Sequence, residues 1–219
     1  MYRWCFVLML LCSAFVISQA QDSHGIIRGT VLDEAGSPVQ NAYVAADMMA
    51  DGKIAQELKT YTDSTGQFVL EGLPLGEYQV SAQKEEDGYL STRPNVFQHN
   101  KPVEVRLTPD NDSDSVTIHF SPKGAFVTGT VRDSKTGARV AAEITLKPEN
   151  GDGLLGTGTN GKENFRLAVP ANAGFTILIS APGYQNWVYR DEANPEQPGV
   201  LRLDSGSEKK LDVRLVPQR

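Results

Sequence analysis

Cysteine is confined to the first twenty residues of this 219-residue chain. Cys5 and Cys12 both fall there, and none follows. With that segment removed, disulfides, cysteine nucleophiles and thiolate metal sites are all excluded. Histidine is nearly as scarce: His24, His99 and His119 are the only three, and no two stand at a ligand spacing. Zinc and non-haem iron need several converging donors, so no metal and no cofactor is expected. Serines are plentiful, but none lies in a nucleophile elbow, and no catalytic residue is assigned. Positive charge is short, with 21 Lys and Arg against 27 Asp and Glu. The deficit is concentrated: residues 21–122 carry a net of −9 and residues 123–219 a net of +2. Such acidity argues against nucleic acid and anionic membrane surfaces as partners.

The long hydrophobic run that does exist is the wrong length for a membrane span. Trp4 to Ile17 is almost unbroken and follows Arg3, whereas a spanning helix takes about 20 apolar residues. Ser18-Gln19-Ala20 places small residues where a signal peptidase reads them. Residues 1–20 are therefore expected to be a signal peptide cut between Ala20 and Gln21. The mature chain would have no membrane span and would be exported to a periplasm, a cell surface or the extracellular space.

What is present is a repeat. Gly29-Thr30-Val31-Leu32-Asp33 returns as Gly129-Thr130-Val131-Arg132-Asp133, each followed by a glycine turn (Gly36, Gly137) and a valine (Val39, Val140). Phe68 is echoed by Phe165, the run Gly76 to Ala82 by Gly174 to Ala181, and Gly88-Tyr89 by Gly183-Tyr184. Self-similarity through a whole unit, with gaps confined to turns, marks duplicated folding units. The domains expected are 24–122 and 123–219, joined near Ser121-Pro122-Lys123-Gly124 without a flexible spacer.

No helical period occurs in either unit. Short alternating stretches broken by Gly, Pro, Asn and Asp predict an all-β fold. Strands are expected near 26–32, 42–49, 57–62, 67–71, 78–83, 103–107 and 116–120. Their counterparts are expected near 126–132, 142–147, 164–169, 175–181, 187–189, 200–203 and 211–216. Tyr78, Val80 and Ala82 share one face and should point inward. Thr176-Ile177-Leu178-Ile179 is apolar on both faces, which predicts a central strand covered on both sides.

The order G-T-V-x-D, glycine turn, T-D-x-x-G-x-F, G-L-P-x-G-x-Y-x-V and G-Y resembles the carboxypeptidase regulatory-like domain. The resemblance covers Gly25 to Pro122. It is looser over Lys123 to Pro217, where Asn160-Gly161-Lys162-Glu163-Asn164-Phe165 replaces the T-D-x-x-G-x-F turn. It implies two tandem seven-stranded transthyretin-like or Ig-like β-sandwiches of non-catalytic type. Such domains accompany peptidases, outer-membrane receptors or surface proteins, and the fold group includes starch-binding-like modules. The expected function is thus an exported binding or assembly module. A carbohydrate-binding protein, or an accessory subunit of a separately encoded peptidase or outer-membrane transporter, are the alternatives. Partners are then carbohydrate or another cell-envelope protein.

Two segments stand out as sites. Asp110-Asn111-Asp112-Ser113-Asp114 crowds oxygen donors but lacks the glycine and distal acid of a calcium loop, and reads as a solvated hairpin tip. Asn186, Trp187 and Tyr189 are the candidate ligand contacts, because aromatic faces stack on sugar rings and amides bond hydroxyls. The competing reading puts these aromatics in the core of the second sandwich.

Overall fold

The computed structural model describes residues 24–94, 102–150 and 153–218. The expected signal peptide and His99 lie outside the described residues. Alternation of apolar and polar residues drives strand after strand, because each pleat sends successive side chains to opposite faces. The first half forms β1 (His24–Leu32), β2 (Tyr43–Ala50), β3 (Lys53–Tyr61), β4 (Gln67–Pro74), β5 (Gly76–Gln83), β6 (Val103–Leu107) and β7 (Ser113–His119). They make two sheets, β4-β1-β7 and β3-β2-β5-β6. The second half forms β8 (Ala125–Asp133), β9 (Ala142–Pro148), β10 (Leu155–Thr159), β11 (Phe165–Val169), β12 (Phe175–Ser180), β13 (Trp187–Val188) and β14 (Glu208–Leu215). Its sheets are β11-β8-β14 and β10-β9-β12-β13. The protein is all-β, with four sheets in two sandwich-like units. A single 3₁₀ turn at Glu85–Asp87 is the only helical element among the described residues.

The two units repeat each other in packing detail. In both, the last strand runs parallel to the first, β7 on β1 and β14 on β8, while the other pairings are antiparallel. Gly29 pairs with Val116, and Gly129 with Leu211. A Cβ on Gly29 would collide with the Val116 carbonyl and the Phe68 ring. One on Gly129 would meet the Leu211 carbonyl and the Phe165 ring. Glycine is required where another backbone approaches this closely. Each unit buries its own core, around Ile27, Tyr78 and Leu107 in the first and Ile144, Phe175 and Ile179 in the second.

Turn chemistry repeats as well. Asp33 Oδ1 accepts from the Ala35 and Ser37 amides, at 2.9 and 2.8 Å. Asp133 Oδ1 accepts from those of Lys135 and Thr136, at 2.7 and 2.8 Å. Asn160 replaces Asp63 without loss of function, its Oδ1 accepting from Lys162 N at 2.8 Å as Asp63 Oδ1 accepts from Thr65 N at 2.8 Å.

Tyr78, Val80 and Ala82 are buried together as expected. Several strand expectations need correction. β3 starts at Lys53 rather than 57, because Asp51 and Gly52 both take positive φ and close a tight hairpin. β10, whose alternation Gly156 and Gly158 interrupt, was not among the expected strands. The strand expected at 200–203 reduces to one bridge between Leu201 and Phe175. β12 is central, but its outward residues Thr176, Leu178 and Ser180 are only half-buried, so no second layer covers it. The acidic segment 110–114 is not a hairpin tip, because β6 and β7 belong to different sheets; its turn is closed between Thr108 and Asn111.

The units meet through the Gly88-Tyr89 turn. Gly124 N donates to Gly88 O at 2.8 Å. Tyr89 lies between the Phe120 ring, stacked at 4.8 Å, and the Lys123 ammonium, 4.8 Å from its centroid. Phe126 packs beside Gly88, and the Arg166 guanidinium covers the Phe126 ring at 3.4 Å. These contacts restrict the relative orientation of the two units.

Candidate functional site

The aromatic segment of the second unit begins at Gly183, whose φ of +81° turns the chain back across the sandwich. Tyr184 donates its hydroxyl to Asp133 Oδ2 at 3.0 Å. That bond raises the Tyr184 pKa. The Asp133 carboxyl is held below its ordinary range, first by the Thr136 amide. Trp187 pairs with Ile179 across the edge of the sheet. Paired residues share a face, and Ile179 is fully buried, so Trp187 points inward. Tyr189 N donates to Ile177 O at 2.9 Å and its carbonyl accepts from Gly199 N at 2.8 Å, holding that ring on the same side. Both aromatics are half-buried and pack against the second core, their rings 6.5 Å apart at 62°. Asn186 is exposed beside them. The three residues named from sequence are thus close along the chain, an exposed Asn186 preceding two half-buried rings that pack against each other.

A polar cluster on the first unit was not legible in the sequence. Along β2, Val44, Ala46 and Met48 turn inward, leaving Tyr43, Ala45 and Asp47 on the outer face. Asp47 is nonetheless buried. Its Oδ2 lies 2.7 Å from Nη2 of Arg93, which also reaches Glu57 Oε2 at 3.2 Å. Tyr43 donates its hydroxyl to Glu57 Oε1 at 2.9 Å, and the Tyr61 ring meets Tyr43 edge-on at 5.6 Å. Burial pushes the Asp47 carboxyl above its ordinary range, against the pull of Arg93. The Tyr43 hydroxyl, then Arg93, hold Glu57 below its own. A groove of about 440 Å³ lies farther along the same face, between Met49, Glu77, Gln79, Glu104 and Arg106. The arrangement clamps the chain around Arg93 to the sheet. Only an outward aspartate in an otherwise apolar strand signalled it, and nothing in the sequence pairs position 47 with 93.

The edge strands complete the picture. β3 is nine residues long and exposed along nearly its whole length, with Ile54 and Tyr61 at 51% and 63% exposure. It pairs with β2 alone. Its outer edge carries no strand partner among the described residues, so a row of backbone donors and acceptors faces solvent. Among the described residues, no group of three or more His, Cys, Asp or Glu could hold a metal ion. No described helix is long and apolar enough to cross a membrane.

Comparison with known proteins bears on the first unit. Residues 26–118 match the carboxypeptidase regulatory-like domain family. No curated protein matches the chain. Among solved structures it is similar to the Bacillus anthracis TIE protein, at 16% identity and a TM-score of 0.36 over 89% of this chain and 34% of that one. A streptococcal ancillary pilin gives 16% identity and 0.34 over 90% of this chain and 63% of that one. The shaft pilin SpaA from Lactobacillus rhamnosus GG gives 11% identity and 0.34, over 90% and 98%. The chain thus spans about a third of the first of these and under two thirds of the second.

Proposed function

We propose that this chain is an exported, non-catalytic binding and assembly module. It comprises two tandem carboxypeptidase regulatory-like sandwiches, residues 24–122 and 123–219, behind a signal peptide removed at Ala20–Gln21. The family match over residues 26–118 supports the first copy. The second copy is supported by the shared sheet orders, the parallel closing strand and the Gly129–Phe165 packing that repeats Gly29–Phe68.

The observation that carries a protein partner is the exposed edge of β3. An extended segment of another chain can add there as a further strand, its backbone satisfying the free row of groups. The partner is a protein of the cell envelope. Photo-crosslinking residues placed at Ile54 and Tyr61 should capture a protein in the exported compartment, whereas one at Asn186 should not. Crosslinks at 186 alone would reverse the assignment.

A second reading keeps carbohydrate as ligand, with contacts at Asn186, Trp187 and Tyr189. It is favoured by the exposure of Asn186 and the partial exposure of Trp187 and Tyr189. Quenching of Trp187 fluorescence by envelope glycans, saturable and lost in Asn186→Ala, would support it; an unchanged spectrum would dismiss it.

A further inference from the structure

The socket that joins the units is built twice and filled once. In the first unit, Gly88 takes a φ of +88°, its carbonyl accepts from Gly124 N at 2.8 Å, and Tyr89 follows. In the second, Gly183 takes +81°, its carbonyl accepts from Gln218 N at 2.8 Å, and Tyr184 follows. Pro217-Gln218 therefore stands at the far end of the second unit where Lys123-Gly124 stands at the far end of the first. The surroundings differ. A Cβ on Gly88 would have Lys123 and Phe126 at 3.5 Å, while nothing described lies within 4 Å of one on Gly183. Tyr89 is 7% exposed, whereas Tyr184 is only half-buried.

The surface that fills the socket is also built twice. Phe126 and Arg166 of the second unit correspond in register to Ile26 and Val69 of the first. Phe126 N donates to Ser207 O at 2.8 Å, as Ile26 N donates to Asp112 O at 2.8 Å. Val69 is 43% exposed among the described residues. Charge separates the two end surfaces. The far end of the second unit carries Arg132 and Lys135 on its first turn, on either side of Asp133, whose carboxylate is taken up by the turn amides and the Tyr184 hydroxyl. The near end of the first unit carries Asp110 and Asp112 on its last turn, with Glu71 on the same sheet. The filled junction has the same logic with its own signs: the carboxylates of Asp33, Glu34 and Asp87 act electrostatically on Tyr89, and the Lys123 ammonium lies 4.8 Å from its ring centroid.

We propose that the far end of the second unit, around Gly183, Tyr184 and Lys135, receives the near end of the first unit of another copy, around Ile26, Val69 and Asp112. Copies then stack head to tail, repeating between molecules the junction that exists within each. Such a contact joins two different surfaces, so it propagates into open strings rather than closing as a two-fold dimer. It is independent of the β3 edge, and either surface can fail without the other.

Sedimentation velocity on residues 21–219 tests it. The weight-average sedimentation coefficient should rise with protein concentration at low salt and lose that dependence at high salt, where charge attraction is screened. Val69→Lys and Lys135→Glu, both on exposed positions, should each weaken the association with unchanged circular dichroism, because each sets like charges against each other. Mixed in equal amounts they should associate again, because each supplies a surface that the other lacks. A wild type that stays monomeric at every concentration overturns the proposal. So does association that both substitutions leave intact, or a mixture that stays monomeric.

Discussion

Asp47 and Arg93 form an ion pair on the outward face of the first unit's four-stranded sheet, with Oδ2 2.7 Å from Nη2. The carboxylate is almost wholly buried, its side chain 3% exposed, while the Arg93 side chain is 41% exposed. The other carboxylate oxygen has no hydrogen-bond partner among the described residues. The pair therefore fixes the chain around Arg93 while leaving Asp47 in an environment that disfavours its charge.

Arg93→Ala should destabilise the protein by about 2–3 kcal/mol at neutral pH. That is below the usual range for breaking a buried pair, since Arg93 is partly solvated. The loss depends on pH with a defined sign. Burial already raises the Asp47 pKa in the folded state, and removing Arg93 raises it further. A raised folded pKa costs stability above that pKa, and the cost vanishes as pH falls below it. Urea unfolding of wild type and variant should show the gap shrinking as the solution is made mildly acid. A gap independent of pH would mean that Asp47 is not the group left exposed to the penalty.

Gly29→Ala and Gly129→Ala should have matching effects. Each new methyl meets a carbonyl of the parallel closing strand and an aromatic ring, overpacking worth about 2–3 kcal/mol. Hydrogen exchange should place the lost protection in the variant's own unit: in β1 and β7 for Gly29→Ala, in β8 and β14 for Gly129→Ala. Loss spread equally over both units in either variant would contradict separate cores.

Most of the fold was legible because strand alternation and the repeat are local or self-referential signals. Tyr78, Val80 and Ala82 announced their burial by spacing alone. β10 was hidden because its glycines, Gly156 and Gly158, interrupt the alternation, although the pairing with β9 supplies the strand regardless. The Asp51-Gly52 turn was a readable hairpin signal that the strand boundary missed. Of the Asp47–Arg93 pair only the outward aspartate was readable; its partner was not, because that depends on how a connection folds over the outer face of a sheet. The orientation of Trp187 was equally hidden: its partner across the edge, Ile179, decides it, and strand register is not written in composition.

Trp187→Ala should cost about 2–3 kcal/mol, less than truncation of a fully buried tryptophan because the ring is half-buried. Its inward direction beside Ile179 makes packing the dominant effect. A thermal melt of the variant reads this directly. An unchanged melting temperature would show that the ring packs on little and would free it for ligand.

The most direct measurement divides the chain at Pro122–Lys123 and produces residues 21–122 and 123–219 as separate proteins. If the molecule is one sandwich design made twice, each half should give a β-type circular dichroism spectrum and a cooperative thermal transition of its own. A half that remains unfolded in isolation, or that folds only when the other is added, would contradict it.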